Sequence, residues 1–587
     1  MESLEYHDVV VIGAGIAGLE AARSLRKLDP SISVLVVEAS DRIGGRVEHI
    51  DGIAPYHIEL GPEFLHGANN SSMFQLSKAM GCRLHEYAYP DRFYFGAERR
   101  MVKREELDAD AEVARVHELF ANLADEAIDQ YTGENDTSVA DYLRRKGVKE
   151  SMMKLADALY ANDFGCSLTE LGVAECIQEA RSWSFGDSYF ILDRPVSSII
   201  QWLAEGTNIR LLWPVAAIDY SLENAVRVAS VDGRALQARR VIVTVPITIL
   251  RDGDIQFSPA LPLEKLRMIQ SINMSNAMKV VMAFSERFWP EDLFDVVCTD
   301  CFLPEIWMTS ATLSRPAPPS SSLRSFSPLR CPSSANLGKV AVVGFVAGER
   351  AKEMSQFSHD KIFRKALSQL DEMFGKATDC AMKQDEGEGL VDLEGTHSLK
   401  RRDDSGKLVT AGTQLMQQDT SSTARIREQQ TVHASHCTSV SRAGEDYNKE
   451  QEDEEASAIA DNHGEMVGGR LWKLQKSETN SGIHFSQRHN PASWHFAGGL
   501  VKDWSKEPFI RGGYSHPSKG AQGARASLTM PVLQRLFFAG EATHEGVNPC
   551  LQAAIDTGRR AANQVFDSLI QKPMSEGTRS RLGFNAC

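Results

Sequence analysis

The sequence contains no apolar run approaching the roughly 18 residues that a membrane-spanning helix needs. Its first residues, MESLEYHDVVV, lack the basic segment and apolar core of a secretory signal. Its last residues match no peroxisomal, endoplasmic-reticulum or prenylation motif. We therefore expect a cytoplasmic protein that has no membrane partner.

Basic charge is scarce relative to acidic charge. The chain has 79 Asp and Glu residues against 64 Lys and Arg, a formal net charge of -15 at pH 7, and this balance disfavours nucleic acid as a partner. The ten cysteines show no Cys/His spacing of a zinc site. We therefore expect no metal, and we interpret the cysteines as scattered, reduced thiols.

The length of the chain indicates more than one domain. With 587 residues, of which 42% are hydrophobic, the chain exceeds what one ordinary core accommodates. Two segments differ from the rest in composition: 310–335 is rich in Ser and Pro, and 384–462 is polar, charged and nearly free of aromatic residues. Neither can bury enough apolar surface to offset its ordering entropy, so we predict two disordered insertions.

The N-terminus has the pattern of a strand, a glycine turn, a helix and a second strand. The turn is G-A-G-I-A-G, in which Gly13 permits the tight turn, Gly15 lets the backbone approach a pyrophosphate, and Gly18 allows the helix to pack closely on the strand. The helix N-terminus would then face the phosphates. This context predicts a dinucleotide-binding unit of the Rossmann type.

Two further features of the sequence, Glu38 and the segment 43–46, indicate which dinucleotide is bound. Glu38 ends the second strand, where a carboxylate accepts hydrogen bonds from both ribose hydroxyls and repels the 2′-phosphate of NADP. The continuation Ile43-Gly-Gly-Arg46 adds a second glycine pair and a guanidinium on the diphosphate side. This second element favours FAD over NAD.

Three separated blocks of the sequence resemble the flavin-containing amine oxidase family, which includes polyamine oxidases, monoamine oxidases and lysine-specific demethylases. The N-terminal block is GAGIAGLEAA…EASDRIGGR with ELGPEFLHG at 59–67; the others are AMKVVMAFSERFWP at 277–290 and LFFAGEATHEGVNPCLQAAIDTGRRAA at 536–562. The polyamine oxidases have the most similar motifs. The resemblance implies an α/β fold of two lobes, in which a Rossmann-type FAD-binding domain is interleaved with an α+β substrate domain.

On this basis we predict two discontinuous domains. The FAD-binding domain takes residues 1–80, 190–275 and 495–570, and the substrate-binding domain takes residues 81–189, 276–383 and 463–494. The region from about 84 to 181 is mostly helical in its pattern, whereas 209–250 alternates as strands do.

Lys279 and His66 are the catalytic candidates. Lys279 lies in an almost wholly apolar, strand-like run, where a lysine needs a partner or a lowered pKa. The resemblance implies that Lys279 holds a water molecule against flavin N5, and that His66 lines the substrate passage near the flavin.

The resemblance also implies cofactor contacts outside the glycine motifs. A helix is expected to begin near Cys550, capped by Asn548 and Pro549, with its positive end directed at the flavin pyrimidine ring. Its apolar face is predicted to contain Ile555, Ala562, Val565, Phe566 and Leu569. The remaining residues that the resemblance assigns to the cofactor are Ala17, Val215, Trp504, Glu541 and Leu551.

The substrate side is less typical of the family. In monoamine oxidases a cysteine precedes the tyrosine that corresponds to Tyr514 and binds the flavin covalently; here Gly513 occupies that place, so the resemblance implies non-covalent FAD. Amine-oxidising members often place an aromatic cage residue where this chain has Val547. A valine leaves more space and has no ring quadrupole to orient an amine.

The leading hypothesis is an FAD-dependent oxidase of a C–N bond, with a polyamine such as spermine, spermidine or an acetylated form as substrate and with O₂ as the electron acceptor. Histone demethylation is less favoured, since the dinucleotide strand begins at Asp8. The alternatives are an amino-acid oxidase or desaturase of the same fold, or a silent FAD-binding scaffold. The oligomeric state is left open.

Overall fold

A computed structural model of the chain describes residues 4–87, 89–309, 329–330, 336–375, 489–547 and 550–570. All of them belong to one compact unit, Met1–Ala377 with Val467–Cys587. The predicted insertion at 384–462 and the predicted helix cap at Asn548 and Pro549 lie outside the described residues. Of the predicted insertion at 310–335, only the backbone of Leu329–Arg330 is described, and it forms a short strand.

The first sheet is built around the N-terminal βαβ unit. Its strand order is β10-β2-β1-β13-β12-β11-β14, and β21 pairs with β13. The central strands are parallel and covered on both sides, so all four residues of β2 are buried. The strands are β1 Glu5–Ile12, β2 Val34–Val37, β10 Asn208–Arg210, β11 Val215–Asp219, β12 Val226–Ser230, β13 Ala235–Val243, β14 Gln256–Ser258 and β21 Leu536–Phe538.

The second sheet has seven strands in the order β20-β15-β19-β17-β16-β7-β8. Every residue of its strand β15 is buried, which accounts for the almost continuous apolar run in the sequence. The strands are β7 Arg92–Phe95, β8 Arg100–Lys103, β15 Ala277–Phe284, β16 Asp295–Thr299, β17 Glu305–Thr309, β19 Val340–Ala347 and β20 Phe496–Asp503.

Two small sheets complete the strand structure, in the orders β18-β3-β4 and β5-β9-β6. The second of them contains the short strand that carries His66. The strands are β3 His49–Asp51, β4 Ile58–Glu59, β5 Leu65–His66, β6 Leu84–Tyr87, β9 Tyr189–Leu192 and β18 Leu329–Arg330.

Helices pack on both sheets, and the longest described helix lies against the first helix of the chain. They are α1 Ile16–Leu28, α2 Ser72–Ala79, α3 Arg104–Asp108, α4 Ala111–Ala121, α5 Val139–Arg145, α6 Glu150–Ala156, α7 Val173–Ser182, α8 Ser197–Ala204, α9 Ile247–Arg251, α10 Leu263–Ser271, α11 Gly348–Met354, α12 His359–Phe374, α13 Pro491–His495, α14 Ala524–Thr529 and α15 Leu551–Ile570. None of the helices described is long and apolar enough to cross a membrane.

The structure corrects two of the sequence predictions. The start of the region predicted to be mostly helical, residues 84–103, forms the strands β6, β7 and β8. Residues 496–503 were assigned to the FAD-binding domain, but they form β20 and pair with β15 in the second sheet. The predicted boundary at 495 therefore precedes a strand of the second sheet, which the chain leaves only after Asp503.

Candidate active site

The glycine turn between β1 and α1 has the shape that a dinucleotide requires. Gly13 adopts φ +106, where side chains are rarely tolerated. A Cβ atom on Gly18 would lie 2.0 Å from the Gly13 carbonyl oxygen, so helix and strand could not approach as they do. A Cβ atom on Gly15 would meet nothing within 4 Å, and this leaves the backbone open at the position where the pyrophosphate is expected.

Glu38 is held directly beside this turn. Its Oε2 accepts a 2.7 Å hydrogen bond from the Ala14 amide, and its Oε1 accepts bonds from the Ser40 amide and hydroxyl. A carboxylate has about four acceptor positions, so capacity remains for a ribose hydroxyl. Val215 lies nearby: the Glu38 carbonyl accepts a hydrogen bond from Trp213, two residues before Val215 begins β11.

The second glycine pair lies against the first turn, and Arg46 joins distant parts of the chain. A Cβ atom on Gly45 would lie 3.6 Å from the Gly15 Cα atom. Arg46 Nη1 donates to the Gly513 carbonyl oxygen at 2.9 Å and to Glu541 Oε1 at 2.8 Å. Arg46 is therefore no surface arginine, and the sequence blocks around residues 46, 513 and 541 meet at one place.

The C-terminal helix begins at Leu551, directly after Cys550, as predicted. Gly558 brings it against α1, because a Cβ atom there would lie 2.5 Å from the Ala17 carbonyl oxygen. Ala17 is thus part of the α1–α15 contact. The predicted apolar face is confirmed: three of its residues are fully buried and two pack against the same core, namely Ile555, Ala562, Val565, Phe566 and Leu569.

Lys279 is buried in the middle of β15 and has a specific partner. Its Nζ atom donates to the Glu59 carbonyl oxygen at 2.9 Å and to Glu63 Oε2 at 3.3 Å. The same Glu63 oxygen accepts a 3.0 Å hydrogen bond from the indole of Trp307, and the lysine nitrogen lies 4.8 Å from the centre of that ring. The partner that a buried lysine requires is Glu63, within the quoted ELGPEFLHG block but not identified from it.

A second buried lysine stands beside the first. Lys502 of β20 is the direct cross-strand neighbour of Lys279, so both side chains project from the same face of the sheet. Lys502 Nζ lies 2.6 Å from Glu48 Oε2 and 2.6 Å from Glu507 Oε1. Like charges opposite each other destabilise a sheet, and the separate carboxylate partners of each lysine offset that repulsion.

His66 lies half-buried at the end of β5, with its ring edge toward Tyr189 at 4.9 Å between ring centres. Burial lowers the pKa of His66 to about 4, so the imidazole is neutral at physiological pH. Its carbonyl oxygen accepts a 3.3 Å hydrogen bond from Gln552 in the first turn of α15. The structure thus brings His66 next to the start of the C-terminal helix.

An acidic cluster lies near His66 and was not predicted; it comprises Asp163, Glu305, Tyr89, Tyr189 and Tyr514. The Tyr89 hydroxyl donates to Glu305 at 3.1 Å, and the Tyr514 hydroxyl donates to the Asp163 carbonyl oxygen at 3.1 Å. The rings of Tyr89 and Tyr189 are 4.8 Å apart. Tyr514 is the member of this cluster that the sequence identified.

The two carboxyl groups of the acidic cluster differ in their partners, since Glu305 accepts hydrogen bonds from Tyr89 and Asn162. The Asp163 side chain accepts no hydrogen bond from the residues that the structure describes, and burial raises its pKa to about 7. Burial, followed by the charge of Asp163, raises the pKa of Glu305 to about 8. A cation placed between them would offset that desolvation cost.

The register of the second sheet relates the acidic cluster to the lysine. Lys279 of β15 and Glu305 of β17 both pair with Phe345 of the intervening β19, so they lie in one row on the same face. Two strand spacings separate their backbones by about 10 Å. Lys279 and Glu305 therefore lie two strands apart on one face of the second sheet.

Val547 and Trp504, which were predicted to contact the substrate and the cofactor, are both buried. Val547 was expected to leave space where an aromatic residue is common, but it is only 2% exposed and packs with Phe185 and Ala553. Trp504 is 4% exposed, and its indole donates to the Leu60 carbonyl oxygen at 2.8 Å. It anchors the segment that leads to Glu63. Position 513 has no room for a cysteine, since a Cβ atom would lie 2.4 Å from that of Ala277.

Buried carboxyls make the folded protein sensitive to alkaline pH. Burial raises the pKa values of Glu59, Asp295 and Glu305 to about 8 each, so the folded state keeps protons that the unfolded state has lost. Burial lowers those of His57 and His66 to about 4, which affects stability only below about pH 6.5. Between pH 6.5 and 8 we therefore expect the unfolding free energy to fall, by up to about 1.4 kcal/mol per pH unit for each carboxyl.

Chemical denaturation at several pH values, without any amine, measures this slope. Asp295→Asn is the test variant because Asp295 Oδ2 is buried without a hydrogen-bond partner, whereas Oδ1 accepts a 2.9 Å bond from the Asp91 amide, which an asparagine oxygen can also accept. The variant should show a smaller loss of stability between pH 6.5 and 8 than the unmodified protein. Equal slopes would contradict the assignment.

Known proteins of similar sequence identify the family of the chain. The sequence matches the family described as flavin containing amine oxidoreductase over residues 16–387 and 400–566. It is 26% identical over 389 residues to lysine-specific histone demethylase 2 of Homo sapiens, covering 63% of this chain and 44% of that protein. It is 29% identical over 304 residues to polyamine oxidase 4 of Oryza sativa subsp. japonica, covering 48% of this chain and 60% of that protein. The chain thus spans about half the length of each of these relatives.

Solved structures share the fold. Cyclohexylamine oxidase from Brevibacterium oxydans superposes with a TM-score of 0.63 at 16% identity, covering 96% of this chain and 100% of that one. Putrescine oxidase bound to putrescine gives a TM-score of 0.63 at 16% identity, covering 96% and 99%. The predicted α/β fold is confirmed. The chain belongs to the flavin-containing amine oxidoreductase family, and its cofactor is FAD.

Proposed function

We propose that the chain is an FAD-dependent oxidase of polyamines. The overall reaction converts a C–N bond, O₂ and water into an aldehyde, a shortened amine and H₂O₂. Bound FAD supplies the two-electron acceptor that O₂ regenerates. The observation that carries the proposal is the acidic cluster. Its Asp163 carboxyl is buried without a hydrogen-bond donor among the described residues, and its Glu305 lies two strands from Lys279 on the same face of the second sheet.

The groups around the cluster favour a substrate with more than one ammonium group. Asp163 and Glu305 can balance a distal ammonium, and the rings of Tyr89, Tyr189 and Tyr514 add polarisable walls that attract a cation. A carboxylate substrate, as in an amino-acid oxidase, would bring further negative charge to Asp163 and Glu305 and would disfavour their ionisation. A long apolar polyene would leave both of them uncompensated.

Each catalytic candidate has a distinct part in this proposal. Lys279 Nζ, fixed by Glu59 and Glu63, can position a water molecule beside the reacting carbon and nitrogen. The neutral His66 can accept a hydrogen bond from a neutral amine, which is the form that loses electrons readily.

The π turn Asp157–Ala161 leads directly into Asn162, whose amide donates to Glu305 at 2.9 Å and fixes that carboxyl.

The proposal predicts that Asp163→Asn separates polyamines from monoamines. An uncharged amide loses the charge-assisted contact with a distal ammonium, which is worth about 1.5–3 kcal/mol. We therefore expect kcat/KM for spermine to fall about 10- to 100-fold, and that for a monoamine such as benzylamine to change less than about threefold. Steady-state peroxide release measures both values, and an equal loss for both amines would contradict the proposal.

The function itself is tested by anaerobic mixing of the FAD-loaded protein with spermine, spermidine, acetylated forms, monoamines, amino acids and a methylated-lysine histone peptide. The peptide is included because a histone demethylase is among the relatives. Bleaching of the flavin band by polyamines, with recovery under O₂, is the expected result. Bleaching by the peptide alone would indicate a demethylase, and no bleaching by any compound would indicate a silent scaffold.

A further inference from the structure

One pair of cysteines has the spacing of a redox motif. Cys298 and Cys301 form C-x-x-C at the turn between β16 and β17. Asp300, between them, takes a left-handed conformation at φ +56, and the Cys298 amide donates to the Pro304 carbonyl oxygen at 2.7 Å. Both thiols donate to backbone carbonyl oxygens two residues before them, Cys298 Sγ to Val296 at 3.8 Å and Cys301 Sγ to Thr299 at 3.2 Å. The expectation that all ten cysteines are scattered is wrong for this pair.

The two sulfurs have unequal surroundings. Cys298 is 1% exposed, whereas Cys301 is half-buried. The neighbouring Cys298 side chain lowers the pKa of Cys301, against the opposing effects of burial and of the Glu372 and Asp300 carboxylates, with Arg350 assisting. Burial raises the pKa of Cys298 well above its ordinary value. Because the thiolate is the nucleophile, Cys301 is the attacking sulfur and Cys298 the resolving one.

We propose that Cys298 and Cys301 are a reversible dithiol/disulfide site whose oxidant is a hydroperoxide, of which H₂O₂ is the smallest. The Cys301 thiolate attacks one peroxide oxygen, the O–O bond breaks, and a sulfenic acid and hydroxide form. The Cys298 thiol then attacks the Cys301 sulfur, an S–S bond forms, the S–OH bond breaks, and water leaves with the thiol proton. The two thiols lose two electrons and two protons, and the peroxide becomes two water molecules.

The site has a physical connection to the acidic cluster. The turn that contains both cysteines leads into β17, which carries Glu305 at its start and Trp307, the indole partner of Glu63. The inference rests on the proposed function only for an internal source of peroxide, because an oxidase releases H₂O₂ beside its own surface. Added peroxide tests the cysteine pair independently of any amine.

The experiment uses the reduced, FAD-loaded, full-length protein, treated with H₂O₂ and then with an alkylating reagent. Peptide mass mapping is expected to find a Cys298–Cys301 disulfide that dithiothreitol reverses. Cys82 is the matched control, because it is also half-buried, stands alone, and has a pKa raised by burial. We expect Cys301 to be oxidised at least about tenfold faster than Cys82.

Variants separate the two steps. Cys298→Ser should leave Cys301 as a sulfenic acid that dimedone captures, whereas Cys301→Ser should leave Cys298 reduced. The measurement on the unmodified protein does not depend on whether these variants fold. Equal oxidation of Cys82 and Cys301, or a pair that stays reduced in peroxide, would overturn the proposal.

A final arm uses spermine and air, with and without catalase. Disulfide formation that catalase suppresses would link the site to turnover. If spermine yields neither peroxide nor disulfide while added H₂O₂ yields the disulfide, the proposed function fails and the cysteine site stands.

Discussion

Replacing Lys279 by methionine is expected to slow amine oxidation, flavin reoxidation or both by about 100-fold or more, the range in which a positioned proton-transfer group contributes. Methionine has similar length and is apolar, and every residue of β15 is buried, so the strand can accommodate it. The lost group is the ammonium that contacts Glu59 and Glu63. Stopped-flow absorbance separates the anaerobic reduction step from the step with O₂.

The neighbouring lysine provides the matched control. Lys502→Met removes the same charge from the adjacent position on the same sheet face, but its partners are Glu48 and Glu507 rather than Glu63. Breaking a buried ion pair costs about 3–5 kcal/mol, so a lower melting temperature is expected for both variants, but Lys502→Met should change the rate constants less than about threefold. Lys279→Met without an effect on either step, or an equal slowing in both variants, would refute the assignment.

Gly15→Ala is expected to weaken FAD binding on the order of 100-fold, about 2.8 kcal/mol, and to leave the apoprotein folded. Gly15 has φ -76, which alanine adopts without strain, and a Cβ atom there would meet nothing within 4 Å in the absence of a ligand. The new methyl group would occupy the space through which the backbone approaches the pyrophosphate. Flavin fluorescence titration gives the affinity, and thermal unfolding without FAD gives the stability.

Gly18→Ala supplies the contrast, because its Cβ atom would lie 2.0 Å from the Gly13 carbonyl oxygen. That variant should lose stability even without FAD, since α1 must move away from β1. If Gly15→Ala retained full affinity for FAD, the pyrophosphate would not lie at Gly15. A loss of apoprotein stability as large as that of Gly18→Ala would contradict the open space beside Gly15.

The sequence predicted local structure correctly where that structure depends on residues a few positions apart. The turn with Gly13, Gly15 and Gly18 and the start of the C-terminal helix at Leu551 follow from spacing within a few residues. The region 84–181 is mostly helical as predicted, but its first part forms the strands β6, β7 and β8, since pairing with strands elsewhere decides their structure. Here β7 and β8 extend a sheet whose other strands come from residues 277–503.

The acidic cluster had no signal in the sequence. Asp163, Glu305 and Tyr89 are separated by tens to hundreds of residues, and each is an ordinary residue in its own segment. They meet because β17 and β19 pair in one register and because Tyr514 reaches back to the backbone of Asp163. A one-residue slip in that pairing would place Glu305 on the opposite face of the sheet.

The sequence by itself determined the dinucleotide unit, the identity of FAD and Lys279 as the buried cation, because these depend on residue type and short spacing. Only the tertiary structure decided the charge partners: Glu63 for Lys279 and Glu541 for Arg46. The physical reason is that an ion pair or hydrogen bond depends on distances of a few ångströms in space. Strand register and chain crossings set those distances, and neither is written in the local pattern of residues.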